Sequence, residues 1–196
     1  ALYAIAGLGV AFLLGQCGIV SLAQSAFYGI GAYSTAYFCS TMQWPALAAM
    51  LFGMTLSGAI AAAVGLPVLR LSGYFLALAT LALGIIAHVL FLEWEWLTGG
   101  TLGIGGIPPL SLFGFALDTP YRVYYFVWPL LGVLLWLHYN LLDSRTGLAM
   151  RSMRDAPLAA SVLGIRTDIL KLKIFILSAA LGSLAGSLYA HYVTLV

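Results

Sequence analysis

The chain has 196 residues, of which 63% are apolar and only 7% are charged, and its mean hydropathy is +1.05. Soluble domains carry charge on about 25% of their residues, so this composition excludes one and describes a polytopic membrane protein. The net charge of +2 comes without any basic or acidic tail, which excludes nucleic acid as a partner.

Apolar runs occupy residues 1–14, 19–40, 46–66, 73–92, 124–142 and 174–196. A crossing takes about 20 residues for a hydrocarbon core of about 30 Å, so the first run is too short to span alone and the fifth is borderline. Lipid forbids unpaired backbone, and nothing alternates as barrel strands would. The expected fold is therefore an all-α transmembrane bundle of about six hydrophobic segments. The chain starts at Ala1 inside one apolar run and ends at Val196 inside another, with no charged leader before Leu14, so no signal peptide is read there and a fragment of a longer protein is expected. Cys17 and Cys39 stand far apart along a helix, and neither a disulfide nor a metal or redox motif is expected of them.

The first break is Gly15-Gln16-Cys17-Gly18, followed by Ser21, Gln24 and Ser25. Two glycines flanking a polar residue at membrane depth predict a broken or re-entrant helix whose freed backbone groups need protein or water as partners. Gln16, Ser21, Gln24 and Tyr28 then read in two ways: as the wall of a polar pathway offering neutral hydrogen bonds to a zwitterion, or as interhelical glue. Further on, Gly53, Ser57, Ala61 and Gly65 place small residues on one helix face, and Ser178, Gly182, Gly186 and Ala190 do so again. Such ridges predict close helix packing, the second either within the bundle or against another subunit.

The fourth run carries Tyr74, Thr80 and His88, the histidine close to Glu93 and Glu95. It reads as an interfacial side chain, with a proton relay as the alternative. The loop from Glu93 to Val123 is rich in glycine and proline, including Thr98-Gly99-Gly100. It lacks the Lys-Ser/Thr ending of a phosphate-binding loop, so nucleotide binding is rejected. Trp94, Trp96, Tyr121, Tyr124, Tyr125 and Trp128 suit an aromatic belt.

The segment from Asp143 to Lys173 holds Arg145, Arg151, Arg154, Arg166, Lys171 and Lys173, six of the eight basic residues. By the positive-inside rule it is cytoplasmic, Arg70 falls on the same side, and residues 93–123, with Asp118 and Arg122, face outside. Within it a short helix is predicted, capped by Asp155, opened by Pro157 and stopped by Gly164. Leu158, Val162 and Ile165 give it an apolar stripe suited to a groove on another protein, although a solvated loop would satisfy the charge rule equally well.

Three motifs carry a resemblance. They are Arg154-Asp155-x-x-x-Ala159-Ala160-x-x-Leu163-Gly164-Ile165, continued by Lys171, Phe175, Ser178-Ala179-Ala180, Ala185-Gly186 and Tyr189-Ala190; the stretch Gly15-Gln16-x-Gly18-x-x-Ser21-Leu22-Ala23-Gln24-Ser25-Ala26-Phe27-Tyr28-Gly29-Ile30-Gly31-Ala32-Tyr33; and Leu97-Thr98-Gly99-Gly100-x-x-Gly103-Ile104-x-Gly106-Ile107-Pro108. Together they resemble the branched-chain amino acid ABC transporter permeases, within which the chain is most similar to the LivM-type subunit. The resemblance implies one permease domain over 1–196, multi-pass in a bacterial inner membrane, importing leucine, isoleucine or valine. The implied partners are a LivH-type permease, two ATPase subunits and a periplasmic solute-binding protein, with no cofactor and no chemistry of its own. By the same token Arg154, Asp155, Ala159, Ala160 and Gly164 would form the ATPase-coupling helix, and Thr98, Gly99 and Gly100 would sit near the outer gate. Family members often carry a Glu and an Arg where Ile85 and His88 stand here, so no charged pair is carried over. A urea or short-amide permease remains an alternative, as do a secondary carrier and a channel.

Overall fold

The computed structural model describes residues 1–112, 115–116 and 119–196. Asp118, counted above with the outer loop, lies outside the described residues. The expected all-helical bundle is present. Its elements are α1 (Leu2–Val10), continued by a π-helical turn (Ala11–Gln16), α2 (Gln24–Ser40), α3 (Ala46–Val68), α4 (Tyr74–Glu93), α5 (Glu95–Thr98), α6 (Pro120–Leu142), α7 (Arg145–Asp155), α8 (Pro157–Val162) and α9 (Thr167–Val193). Two-residue strands, β1 (Ser111–Leu112) and β2 (Phe115–Ala116), pair antiparallel in the loop before α6.

Among the described residues four helices, α3, α4, α6 and α9, are long and apolar enough to cross a membrane. This corrects two expectations. The fifth run is no borderline span, because Pro120 opens α6 four residues before the apolar stretch begins and the helix reaches 23 residues. The second run is shorter than its apolarity suggests, because α2 begins only at Gln24 and has 17 residues.

The missing length goes into the predicted break. The π turn ends at Gln16, Gly18 takes a left-handed φ of +66°, and regular helix resumes at Gln24. The break also reverses the chain. Tyr3 of α1 stacks on Tyr28 of α2, and Gln24 hydrogen-bonds the Ala6 carbonyl, so α1 and α2 are the antiparallel legs of a hairpin with its tip at residues 17–23.

The bundle is built around α9. Both predicted small-residue ridges are buried, and both are used inside the chain. A Cβ on Gly186 would collide with the Tyr28 carbonyl, and one on Gly31 of α2 would collide with the Ser183 backbone, so α2 and α9 touch backbone to backbone. Thr35 donates to Ser187 at 2.8 Å, and Ser187 donates to the Gly31 carbonyl at 3.1 Å. Gly53 of α3 lies 3.6 Å from Gly31 at the position a Cβ would take, which brings a third helix to the same junction. Large side chains then fill the seams, with Phe27 and Phe175 meeting edge-on at a centroid distance of 5.5 Å.

The basic residues gather at one end of the bundle. Arg70, after α3, and Asp168, in the first turn of α9, line one recess, and α7 and α8 lie between α6 and the start of α9. At the opposite end the glycine-rich loop is tied to the end of α9: His191 Nδ1 meets the Pro108 carbonyl at 2.9 Å, and Ile104 and Val196 exchange backbone hydrogen bonds at 2.8 and 3.2 Å.

Candidate functional site

Two neighbouring places concentrate polar groups in this apolar bundle: the hairpin tip and the basic segment beside it. At the tip the helix ladder fails for a definite reason. Ile19 N–H returns to the Leu13 carbonyl at 2.9 Å, across six residues and so one wider than a π-type span, which leaves the intervening carbonyls and amides without regular helical partners. Unpaired backbone in an apolar surround costs several kcal/mol, roughly, so side chains are recruited. Thr80 of α4 accepts from Leu22 N–H at 3.0 Å while donating to its own helix. From the other side, Arg154 of α7 donates through Nη1 to the Gly15 carbonyl. Thr80 was visible as a polar residue in an apolar run, but nothing in its spacing tied it to the break.

Sequence-predicted pathway residues fall into three environments. Gln16 and Ser21 are half-buried at the tip, Ser21 Oγ accepting from Ala23 N–H at 3.4 Å. Gln24 sits deeper, where it is the polar hub of three helices: its Nε2 donates to the carbonyls of Ala6 at 3.2 Å and Ser178 at 3.3 Å, and its Oε1 accepts from Ser178 Oγ at 3.0 Å. These bonds join α1, α2 and α9 through one side chain. Tyr28, one turn on, packs between Tyr3 and Tyr189, and its hydroxyl is buried without a hydrogen-bond partner among the described residues.

A recess of about 310 Å³ between α2 and α4 gathers Ser25, Tyr28, Tyr33 and His88. His88 is exposed at its rim, in keeping with the interfacial reading. A second recess, of about 320 Å³, lies between α2, α3 and α4 and is lined almost wholly by apolar side chains, among them Phe27, Ile60, Leu90 and Trp94. Thr98 closes that recess and is itself buried, donating to the carbonyls of Phe91 and Trp94 at 2.6 and 2.8 Å and accepting from Gly100 N–H at 3.2 Å. Gly99 and Gly100 turn the chain away from it at φ +75° and +60°. Thr98–Gly100 therefore lie at the end of α4 away from the tip, and the structure does not bring them together with Gln16 or Ser21.

The predicted coupling helix exists as α8, with corrections. Asp155 is not its cap; it is the last residue of α7, and Ala156 occupies the N-cap position without a side-chain hydrogen bond. The reason is local: Ser144 caps α7 and sets its register, and Pro157 forces the break after Asp155. Pro157 opens α8 as expected. Gly164, at φ +85°, ends it with N–H bonds from Gly164 to Ser161 and from Ile165 to Ala160, both at 3.1 Å, the paired closure that a left-handed residue permits. The exposed stripe is Leu158, Val162 and Leu163, at 84%, 86% and 80%, because the turn at Gly164 carries Ile165 to a half-buried position. Of the two alanines, Ala159 faces outward and Ala160 is buried against the chain itself.

Comparison with known proteins bears on this geometry. The family model described as branched-chain amino acid transport system / permease component matches residues 1–196. The high-affinity branched-chain amino acid transport system permease proteins LivM of Salmonella typhimurium and of Escherichia coli are 33% and 32% identical, each over 96% of this chain and 50% of the relative. The nucleoside ABC transporter permease protein NupC of Lactococcus lactis is 27% identical over 90% of this chain and 60% of its own length. The chain thus spans about half the length of the curated relatives it matches. No solved structure matches it. A helical bundle with a broken first hairpin, matched from its first residue to its last by one family model, belongs to the permease components of the branched-chain amino acid transport systems.

Proposed function

We propose that this chain is the transmembrane part of an ATP-driven importer, one permease domain that moves branched-chain amino acids into the bacterial cytoplasm. The observation that carries the reading is α8. Leu158, Val162 and Leu163 stand out from a rigidly ended helix between Arg151 and Arg166, at the end of the bundle where basic residues cluster. Three apolar side chains in such surroundings suit a groove on a soluble partner, whereas a carrier or a channel has no use for them. ATPase subunits on the cytoplasmic side are that partner, and the chain itself performs no chemistry. A LivH-type second permease and a periplasmic binding protein complete the assembly, the latter meeting the glycine-rich end. The apolar seams and sparse polar anchors suit a zwitterion with a hydrocarbon side chain. The similarity to a nucleoside permease favours a second reading, in which the same machine carries a nucleoside.

The test is ATP-dependent uptake into proteoliposomes holding the full complex, comparing parent protein with Val162→Glu. The expected outcome is normal membrane insertion, loss of the co-purifying ATPase and at least a tenfold fall in leucine uptake, with uridine failing to compete in the parent. Unchanged ATPase association would sink the assignment of α8, and competition by uridine would replace the substrate.

A further inference from the structure

We propose that Arg154 is a positioning residue that ties the coupling segment to the hairpin tip, so that a displacement of α8 is delivered to the break at Gly15–Gly18. This rests on the reading of α8 as the ATPase contact. Sequence reasoning grouped Arg154 with residues facing the ATPase, but its side chain runs the other way. Its head donates to the Gly15 carbonyl, and its stem crosses Gly18, where a Cβ would come within 3.2 Å of Arg154 Cγ. Gly18 is thus required twice, for its positive φ and for the room it leaves.

The neighbouring residues make this contact a mechanical one. Met150 and Met153, on the same helix, are buried in the core cluster that includes Phe12, Leu13, Cys17 and Ile19. So α7 is seated on the π turn by apolar packing and pinned to the break by one charged hydrogen bond. Only Ala156 separates α7 from α8, and its N–H still bonds the Ser152 carbonyl at 3.0 Å, which ties the start of α8 to the last turn of α7. On the far side of the tip, Leu22 is held by Thr80 and Gln24 by Ser178, so a pull on the Gly15 carbonyl is taken up within residues 15–21 rather than passed on into α2. A charge-assisted hydrogen bond to a backbone carbonyl is strong enough to favour one arrangement of the tip over another by about tenfold or more.

The experiment uses the full complex in proteoliposomes, with Cys17 as its only reactive cysteine, and compares parent, Arg154→Met and Arg154→Lys. With Arg154→Met the ATPases are expected to co-purify and to hydrolyse ATP within about twofold of the parent rate, because α8 is untouched. Leucine carried per ATP should fall about tenfold, and maleimide labelling of Cys17, buried at the tip, should speed up by a similar factor. Arg154→Lys, which restores a charged donor on a long stem, should recover at least a third of the coupling. Unchanged uptake per ATP in Arg154→Met, or a fall that Arg154→Lys does not relieve, would overturn the proposal. A parent complex that binds no ATPase would instead overturn the function assigned to α8, and Cys17 labelling would then decide the latch by itself: faster labelling in Arg154→Met supports it and an unchanged rate refutes it.

Discussion

Helices α9 and α6 are both long, both apolar, and used in opposite ways. Half of the most apolar window of α9 is buried inside the chain, against 11% of that of α6. The difference follows side-chain size rather than hydrophobicity. Along α9, small residues such as Ser178, Gly182 and Gly186 let α1 and α2 approach until backbones touch, while α3 packs against α9 side chains. By contrast, α6 carries Tyr125, Trp128, Leu135, Trp136 and Tyr139 outward, and its glycine, Gly132, has open space where a Cβ would go. In water, exposing that much apolar surface would be costly, but lipid is as apolar as leucine and removes the incentive to bury it. Close packing and hydrogen bonding then decide what lies inside, and α6 leaves its broad face to the membrane or to another subunit.

The contrast can be broken most directly at the glycines. Gly186→Ala puts a methyl group onto the Tyr28 carbonyl and should destabilise the fold by about 3 kcal/mol or more, read as a loss of folded protein in a mixed-micelle unfolding titration. A variant that unfolded at the parent midpoint would show that α2 and α9 do not meet as described. A middle-sized effect is expected at the polar hub. Gln24→Ala removes three hydrogen bonds joining α1, α2 and α9 and should cost about 1–2 kcal/mol in the same titration. Its coupling to Ser178→Ala in a double-mutant cycle should be about 0.6 kcal/mol. The smallest effect belongs to α6, where Gly132→Ala meets no neighbour and removes a flexible residue from a helix, so stability should rise by up to about 1 kcal/mol. A marked loss there would mean that α6 is packed more tightly than its open surroundings suggest.

The same contrast explains how much was legible beforehand. Both small-residue ridges were readable from four-residue spacing, yet that spacing could not say whether the second met α2 or another subunit. The break at Gly15–Gly18 was readable from its glycines, but its reversal was not, because a glycine permits a turn without setting the direction that follows. Boundaries shifted where backbone geometry, and not hydropathy, set the first turn. Pro120 started α6 early, Thr167 started α9 seven residues before its apolar run, and Pro157 moved the cap of α8 from Asp155 to Ala156.

By itself, then, the sequence determined what depends on local chemistry: helices rather than strands, because lipid leaves backbone groups no other partner; a basic end, because charge is read residue by residue; an interruption near Gly15–Gly18, a glycine-stopped short helix, and faces small enough to pack. Only the tertiary structure decided which faces met and where the long polar side chains went. Gln24 joined a polar hub of three helices, Ala160 turned inward, and Arg154 reached back across 139 residues of chain to the Gly15 carbonyl. An arginine on a basic segment has the same sequence signature whether it points at a partner or at its own chain. The choice is made by which unpaired carbonyl the fold brings within its reach.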